Sequence, residues 1–500
     1  MTEPQTIADL LAAGADDATA IAAPGRAPLT YKDLRRLAGE VRAALNAHGI
    51  GRGDRVAIVL ANGPEMAAAF LTVACAATTA PLNPAYRDEE FDFYLSDLGA
   101  RALMVEAGAD TPARAVAARL GVPVCELTAD ARAAGLFTLA GPAQPRAIEA
   151  GAAEADDVAL VLHTSGTTSR PKIVPLSHAN LCASARHIGA TLKLGAGDLC
   201  LNVMPLFHIH GLVAGVLSSL AAGAAVACTP GFNALRFYAW LDELKPTWYS
   251  AVPTMHQAIL ARAGRNAEAI ARSRLRLIRS SSASLPPQVM AALEATFGAP
   301  VIESYGMTEA SHQMTSNPLP PAARKPGTVG IAAGPEVRVL AAPGAAGEVV
   351  IRGPNVTRGY ENNPKANAEG FTDGWFRTGD EGRLDAGGYL TITGRLKEII
   401  NRGGEKVSPK EVDEVLMDHP AVAQVVTFAM PHPKLGEEVA AAVVLREGAS
   451  ASERDIRDFA ARRLADFKVP RKVVFLDEIP KGATGKLQRI GLAERLGVSA

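Results

Sequence analysis

Between Leu162 and Asn180 the chain reads L-H-T-S-G-T-T-S-R-P-K-I-V-P-L-S-H-A-N, a crowd of hydroxyls around one glycine followed by a Pro-Lys step. Gly166 lets the backbone come close to an anion, Thr164, Ser165, Thr167 and Thr168 offer hydroxyl and amide donors, and Lys172 adds a positive charge. Such a set suits the cradling of phosphates. It is not a Walker A loop, because no glycine immediately precedes Lys172 and no Ser or Thr follows it. A Ser/Thr-rich surface turn is the competing reading, since these residues also populate turns for local reasons. Five further clusters follow in order: P-L-F-H-I-H-G at 205–211, E-S-Y-G-M-T-E at 303–309, G-W-F-R-T-G-D at 374–380, G-R-L-K-E-I-I at 394–400 and G-A-T-G-K at 482–486.

Groups so far apart in the chain need a scaffold to gather them. The apolar run from Val158 to Leu162 reads as a buried strand leading into the hydroxyl-rich loop. Near the N-terminus, Thr30 with Asp33 three residues on predicts a capped helix, and Leu34, Leu37, Val41 and Leu45 keep helical spacing up to Gly49. A strand at Val56 to Leu60, a turn at Asn62-Gly63-Pro64 and a mostly apolar helix from Met66 to Ala77, stopped by Pro81 and Pro84, come next. Strand-like runs recur around Ala102 to Val105, Ala224 to Ala227, Trp248 to Val252, Leu275 to Ile278 and Val301 to Ser304. This alternation predicts an α/β fold, a largely parallel sheet covered by helices. Between Gly108 and Asp156 the chain is rich in Ala, Gly and Pro with few aromatics, and reads as a loosely packed connection.

After Gly394 the texture changes to shorter strands and two helices, opened by Ser408-Pro409-Lys410-Glu411 and Ser452-Glu453-Arg454-Asp455. A boundary at Arg395 to Lys397 divides a large domain, 1–394, from a small α+β domain, 395–500, which ends in an exposed Gly-rich segment, P-K-G-A-T-G-K-L-Q-R. At 500 residues, two or more domains are expected.

Lys plus Arg is 51 and Asp plus Glu is 52, so a net charge of -1 gives no reason to expect nucleic acid or an anionic membrane as partner. Five scattered cysteines, Cys75, Cys125, Cys182, Cys200 and Cys228, lack C-x-x-C spacing and read as reduced core residues of a cytoplasmic protein. The start, M-T-E-P-Q-T-I-A-D-L-L, lacks the basic opening of a secretory signal, and the final V-S-A is no peroxisomal tripeptide, so neither end is expected to be an address. The uncharged stretch from Gly211 to Cys228 approaches the roughly 20 residues of a membrane span. Ser218, Ser219 and Gly223 divide it into a buried helix and a strand instead.

The six ordered motifs together resemble the acyl-adenylate-forming superfamily, which includes acyl-CoA synthetases, luciferases and peptide-synthetase adenylation domains, over essentially the whole chain. The resemblance implies a large N-terminal domain, a mobile C-terminal lid and a two-step ligase using ATP, magnesium and coenzyme A. A carboxylate attacks the α-phosphate and releases pyrophosphate, and a thiol then displaces AMP. By the same resemblance, Thr164 to Thr168 with Lys172 hold the β- and γ-phosphates, and Glu309, beside Thr308, is the magnesium ligand. Tyr305 stacks on adenine, whose edge is read near Ala283, Ser284 and Ser304, while Asp380 and Arg395 take the ribose. Lys486 bridges carboxylate and α-phosphate during adenylation, the lid turns about Lys397, and Gly403 and Gly404 line the pantetheine channel. Arg402, Lys406 and Lys410 are either partners of the CoA phosphates or ordinary surface charge.

The acid is narrowed by the residues after the T-E motif, A-S-H-Q-M-T-S-N-P-L-P from Ala310 to Pro320, a polar lining where a long or aromatic acid would need apolar walls. Arg279-Ser280-Ser281-Ser282-Ala283-Ser284 adds hydroxyls, and His208 and His210 add imidazoles. A small dicarboxylate leaves one carboxylate for phosphorus and a second that must be hydrogen-bonded or neutralised if buried. The combination with T-S-G-T-T-S-R-P-K and N-R-G-G-E-K-V-S-P is similar to the oxalate–CoA ligases, and by that resemblance His312, His208 and Ser282 contact the distal carboxylate. Ser169 and Ile173 depart from the superfamily's frequent residues, although Ser169 recurs in the oxalate group. Other readings remain open: a synthetase for another small or medium acid, an enzyme loading a carrier protein, or a luciferase-like oxygenase, whose apolar pocket suits His312 and Gln313 poorly.

Overall fold

A computed structural model describes residues 3–142, 149–164, 171–481 and 487–498. Two helix-covered sheets make up most of the larger part of the molecule. One has seven strands in the order Phe137–Ala140, Val124–Ala129, Ala102–Glu106, Arg55–Val59, Thr78–Pro81, Val158–Thr164 and Lys172–Ser177, parallel except at its two ends. The other has nine, with Val301–Met307, Leu277–Ser280, Trp248–Ala251, Leu199–Asn202 and Ala225–Cys228 parallel through its middle. Central parallel strands are covered on both faces, which is why they read as unbroken apolar runs.

The helix Pro64–Ala74 is buried at every residue but Glu65, so it is enclosed by protein on all sides. It shares one core with Leu212 and Val216 and with Val56 and Ile58, joining the two sheets. Across the same junction the Tyr31 hydroxyl, buried on the first long helix, donates to the Ala224 carbonyl at 2.6 Å. That helix runs Tyr31–Ala47 and begins on the expected cap, with the Thr30 side chain accepting from the Asp33 N–H.

Three expectations are corrected. The apolar segment after Met66 is not one helix to Ala77: the helix ends at Ala74, and Thr78–Pro81 is a strand between Arg55–Val59 and Val158–Thr164. A buried apolar run carries no period to separate helix from strand, and only the β-branched Thr78 and Thr79 marked the change. The stretch from Gly108 to Asp156 is not loose connection. It forms the helix Pro112–Leu120 and two strands of the seven-stranded sheet, with Ala113, Val116, Ala117, Cys125 and Leu127 buried. Alanine and valine fill the narrow space between helix and sheet without aromatics. The strands after Gly394 are not short either, since Val422–His432 and Gly436–Leu445, of 11 and 10 residues, form a long antiparallel hairpin.

A five-stranded antiparallel sheet ends with Leu390–Arg395. The next strand, Ile400–Arg402, already belongs to the C-terminal sheet with its own cores around Val412, Leu416 and Ile456 and around Phe428 and Leu492. The helices Pro409–Met417 and Glu453–Ala461 lie where expected, the second with a capping box from Ser452 and Asp455. The segment Gly211 to Cys228 is a π-helix, His210–Leu217, then a short helix and the strand Ala225–Cys228. Among the described residues no helix is long and apolar enough to cross a membrane.

Candidate active site

The site lies where the parallel strands end. In the hairpin of the strands Trp375–Leu384 and Leu390–Arg395, Asp380 and Arg395 are register partners, and the Arg395 Nε donates to Asp380 Oδ1 at 2.8 Å. From the nine-stranded sheet the Tyr305 hydroxyl donates to the other oxygen, Oδ2, at 2.5 Å. Asp380 is thus a buried carboxylate held from two sheets, and burial pushes the Tyr305 phenol well above its ordinary value. A paired diol would find at Asp380 the acceptor it needs. Ser304 is buried behind this group, its carbonyl accepting from the Ser281 hydroxyl at 3.0 Å, while Ala283 is half-buried and Ser284 exposed.

On the phosphate side, Thr164 and Lys172 are opposite each other at the ends of their strands. Ser165, Gly166, Thr167 and Thr168 lie outside the described residues, as does Lys486. The Lys172 ammonium rests 4.4 Å from the centre of the Tyr360 ring, and the Tyr360 hydroxyl donates to Glu309 Oε1 at 2.9 Å. Burial holds the Glu309 carboxyl above its usual range, against the pull of Tyr360 and Lys172. No group of three or more His, Cys, Asp or Glu that could hold a metal ion occurs among the described residues. A cation here would take Glu309 as its protein carboxylate and complete its shell from phosphate oxygens and water, the manner in which magnesium is usually held. Thr308 precedes it, its carbonyl accepting from the Ser311 N–H at 2.9 Å.

The third part of the site is a buried polar cluster. His210 opens the π-helix, with its Nε2 2.6 Å from Ser250 Oγ and its Nδ1 3.0 Å from Ser282 Oγ. Its ring meets that of His312 edge to face at 4.8 Å. Ser250 and Arg279 are register partners on adjacent parallel strands, so their side chains share one face, and Arg279 Nη1 donates to Ser250 Oγ at 3.3 Å. The same nitrogen approaches His312 Nε2 at 3.5 Å, and Nη2 donates to Gln313 Oε1 at 3.3 Å. Burial pushes both imidazoles far below their ordinary value, with the guanidinium adding repulsion, and holds Arg279 itself down to about 9. Ser282, Ser311 and His312 have φ of 71°, 48° and 100°, the left-handed region that non-glycine residues avoid. Strain of this kind persists where the surroundings over-determine the geometry, commonly at functional sites.

The structure therefore brings together Tyr305, Asp380 and Arg395, then Lys172 and Glu309, then Ser282 and His312. His208 lies beside the last group, half-buried, its Nδ1 accepting from the His210 N–H at 3.2 Å, but the imidazole bridging towards Ser282 and His312 is that of His210. Lys397 is exposed in the turn between Leu390–Arg395 and Ile400–Arg402. Gly403 and Gly404 form the turn before Glu405–Val407 with φ of 59° and 100°. A side chain at 403 would meet Leu435, whereas the space at 404 is open, so only the backbone favours glycine there. Arg402 pairs with Glu438 at 2.6 Å and Lys410 donates to the Ile392 carbonyl at 2.5 Å.

Sequence reasoning missed Ser250, Tyr360 and the role of Arg279. The one signal was Arg279 itself, following Leu277 and Ile278 at a position that must be buried if Leu277–Ser280 is a central strand. A separate cleft of about 560 Å³ between Pro24, Glu65, Phe232 and Arg236 contains none of these groups.

Comparison with known proteins gives consistent matches. Residues 10–361 match the family model described as AMP-binding enzyme, and residues 411–486 match the AMP-binding enzyme C-terminal domain. An oxalate–CoA ligase of Arabidopsis thaliana is 47% identical over 488 residues, covering 95% of this chain and 94% of that protein. An oxalate–CoA ligase of Saccharomyces cerevisiae is 42% identical, covering 94% and 93%. The crystal structure of ATP-bound MatB from Rhodopseudomonas palustris superposes with a TM-score of 0.87 at 31% identity, covering 98% of both chains.

Proposed function

Because the chain belongs to the AMP-binding enzyme family, matched in its main module and in its C-terminal domain, we propose that it joins oxalate to coenzyme A by way of ATP, giving oxalyl-CoA, AMP and pyrophosphate. The observation that carries the choice of acid is the buried donor cluster at His210, Ser282 and His312 beside an arginine with no acidic partner. A short dicarboxylate fills such a place, and an aliphatic tail would leave its donors unsatisfied. The similarity to oxalate–CoA ligases over 94% or more of the chain supports the same acid.

In the first half-reaction an oxalate oxygen bonds to the α-phosphorus and the bond to the pyrophosphate oxygen breaks. In the second, the CoA sulfur bonds to the activated carbonyl carbon and AMP leaves. Asp380 and Arg395 hold the ribose and Tyr305 packs on adenine, so the α-phosphorus is fixed relative to the acid pocket. Thr164 to Thr168 and Lys172 hold the outer phosphates. Glu309 would hold magnesium together with phosphate oxygens, and the cation would supply neutralisation of the charge that develops on pyrophosphate. Lys486 comes to the α-phosphate on a lid formed by 395–500, which turns about Lys397 between the half-reactions and brings Gly403 and Gly404 to the pantetheine. Five free, buried cysteines favour a reducing compartment, the cytoplasm.

Acid-dependent exchange of labelled pyrophosphate into ATP tests the reading with oxalate, malonate, acetate and octanoate side by side. Oxalate is expected to give the strongest exchange. Background exchange with oxalate beside strong exchange with octanoate would remove the assignment.

A further inference from the structure

Among the described residues, Arg279 stands in the acid pocket with no carboxylate to balance it. Its side chain is fully buried, its Nε has no hydrogen-bond partner, and none of the charged neighbours acting on it is an Asp or Glu. An unpaired buried cation is costly, so it is retained where an anion completes it or where it organises its neighbours. A guanidinium can only donate.

That fact sets the direction of two hydrogen-bond chains. The Ser250 hydroxyl accepts from Arg279 and has one proton of its own to place, and we assign that proton to His210 Nε2, 2.6 Å away and the acceptor beside it among the described residues. His210 then carries its proton on Nδ1 and donates to Ser282 Oγ at 3.0 Å, which leaves the Ser282 O–H to donate onward. On the other branch His312 Nε2 faces the Arg279 donor, so the His312 proton sits on Nδ1. That nitrogen is buried and has no partner. A Cβ built on Gly306 would come within 2.9 Å of it, so the glycine keeps the space beside this nitrogen clear. Both free ends are donors. Among the described residues, the other titratable groups acting on the two imidazoles are His208 and, for His210, His256, with no carboxylate among them.

We propose that Arg279 is the positioning residue and fixed counter-charge of the acid pocket, orienting Ser282 O–H and His312 Nδ1–H towards the distal carboxylate of a small dicarboxylate and favouring a dianion over a monoanion of equal size. The inference rests on the oxalate reading above and adds to it the source of the selectivity. The imidazoles stay neutral and supply direction, and the guanidinium supplies charge.

Pyrophosphate exchange is measured for wild type, Arg279→Met, Arg279→Lys and Ser250→Ala with oxalate and with oxamate, in which an amide replaces one carboxylate, recording the KM for ATP in each case. Arg279→Met is expected to raise the oxalate KM about 100-fold, leave the ATP KM within about twofold and abolish most of the preference for oxalate over oxamate. Arg279→Lys should restore that preference in part. Ser250→Ala, which breaks one chain and keeps the charge, should raise the oxalate KM about tenfold with the preference retained. An oxalate preference that survives Arg279→Met overturns the proposal. Should that variant fail to fold, an unchanged oxalate KM in Ser250→Ala overturns it. Absence of oxalate-dependent exchange in the wild type would overturn the substrate reading itself, before any variant is compared.

Discussion

Burial decides the protonation of several side chains, and protonation decides how the fold answers to pH. His178 is held down to about 4 and His256 to about 3 by burial, and His210 and His312 lie well below the ordinary 6.5 for the same reason. Each is neutral in the folded protein at a pH where the unfolded chain takes up a proton. The unfolded state therefore binds more protons, and stability falls as pH drops below about 6.5, by about 1.4 kcal/mol per pH unit for each such group. Glu303, raised by burial to about 7, acts in the opposite sense between its ordinary 4.5 and that value. Denaturant midpoints from pH 7 to 4 for the wild type and His256→Gln isolate one imidazole: the variant's decline should be shallower across this range, and parallel curves would contradict the neutral assignment. Asp380, proposed above to hold the ribose, accepts from both Tyr305 and Arg395. Asp380→Ala should raise the KM for ATP about 10- to 100-fold, the worth of hydrogen bonds to a charged group, with the KM for oxalate much less affected. Steady-state kinetics with each substrate varied in turn checks it.

Among the elements, the hairpin of Val301–Met307 with His312–Ser316 does most to shape the site. It carries Tyr305 and His312 on its paired strands and Glu309 in the short turn Thr308–Ala310 between them, with an irregularity between Tyr305 and Gly306. A Cβ on residue 306 would fall 1.5 Å from the His312 carbonyl oxygen, an overlap that only separation of the strands relieves. Gly306→Ala should therefore abolish oxalate-dependent exchange and lower the thermal midpoint by several degrees. Gly404→Ala offers the contrast. Its space is open and its cost is a left-handed φ of 100°, so adenylation should persist while thioester formation slows. Retained exchange in Gly306→Ala would show that the hairpin yields where its packing says it cannot. How far such elements were legible beforehand follows from the range of the interactions that make them. The Thr30 and Ser452 caps are local and could be read directly, and so could the central strands, whose two-sided burial leaves apolar runs. The strand at Thr78–Pro81 and the helix and strands after Gly108 could not, because alanine-rich segments take their structure from the surfaces they cover. The role of Arg279 was not legible either, since it depends on Ser250 and on the neighbouring His312 and Gln313, brought to it by two other segments of the chain.

At the scale of the whole molecule, hydrogen bonds from side chains to backbone carbonyls join the C-terminal part to the rest among the described residues. Gln257 and Gln288 reach the Ala423 and Met417 carbonyls at 3.4 Å each, and Ser408 and Lys410 bond to the backbone of Thr393 and Ile392. An interface of that kind releases easily, as a two-step cycle requires. Arg489 is different. It is half-buried in the C-terminal part, donates to Asp413 at 3.0 Å and pairs with Glu398 at 3.1 Å, so the chain shortly after Lys486 is fastened to the segment just after Lys397. A turn at Lys397 would then carry the lysine with it as one body. If Lys486 serves only the first half-reaction, Lys486→Ala should lose pyrophosphate exchange by about 100-fold or more, the usual scale for removing a group that stabilises charge in the transition state, yet still convert synthetic oxalyl-AMP and CoA to oxalyl-CoA at a rate near that of the wild type. Arg489→Met should impair both half-reactions, because the fastening serves each position of the lid. Equal loss of both half-reactions in Lys486→Ala would mean that the lysine acts throughout the cycle, and the turning lid would lose its purpose.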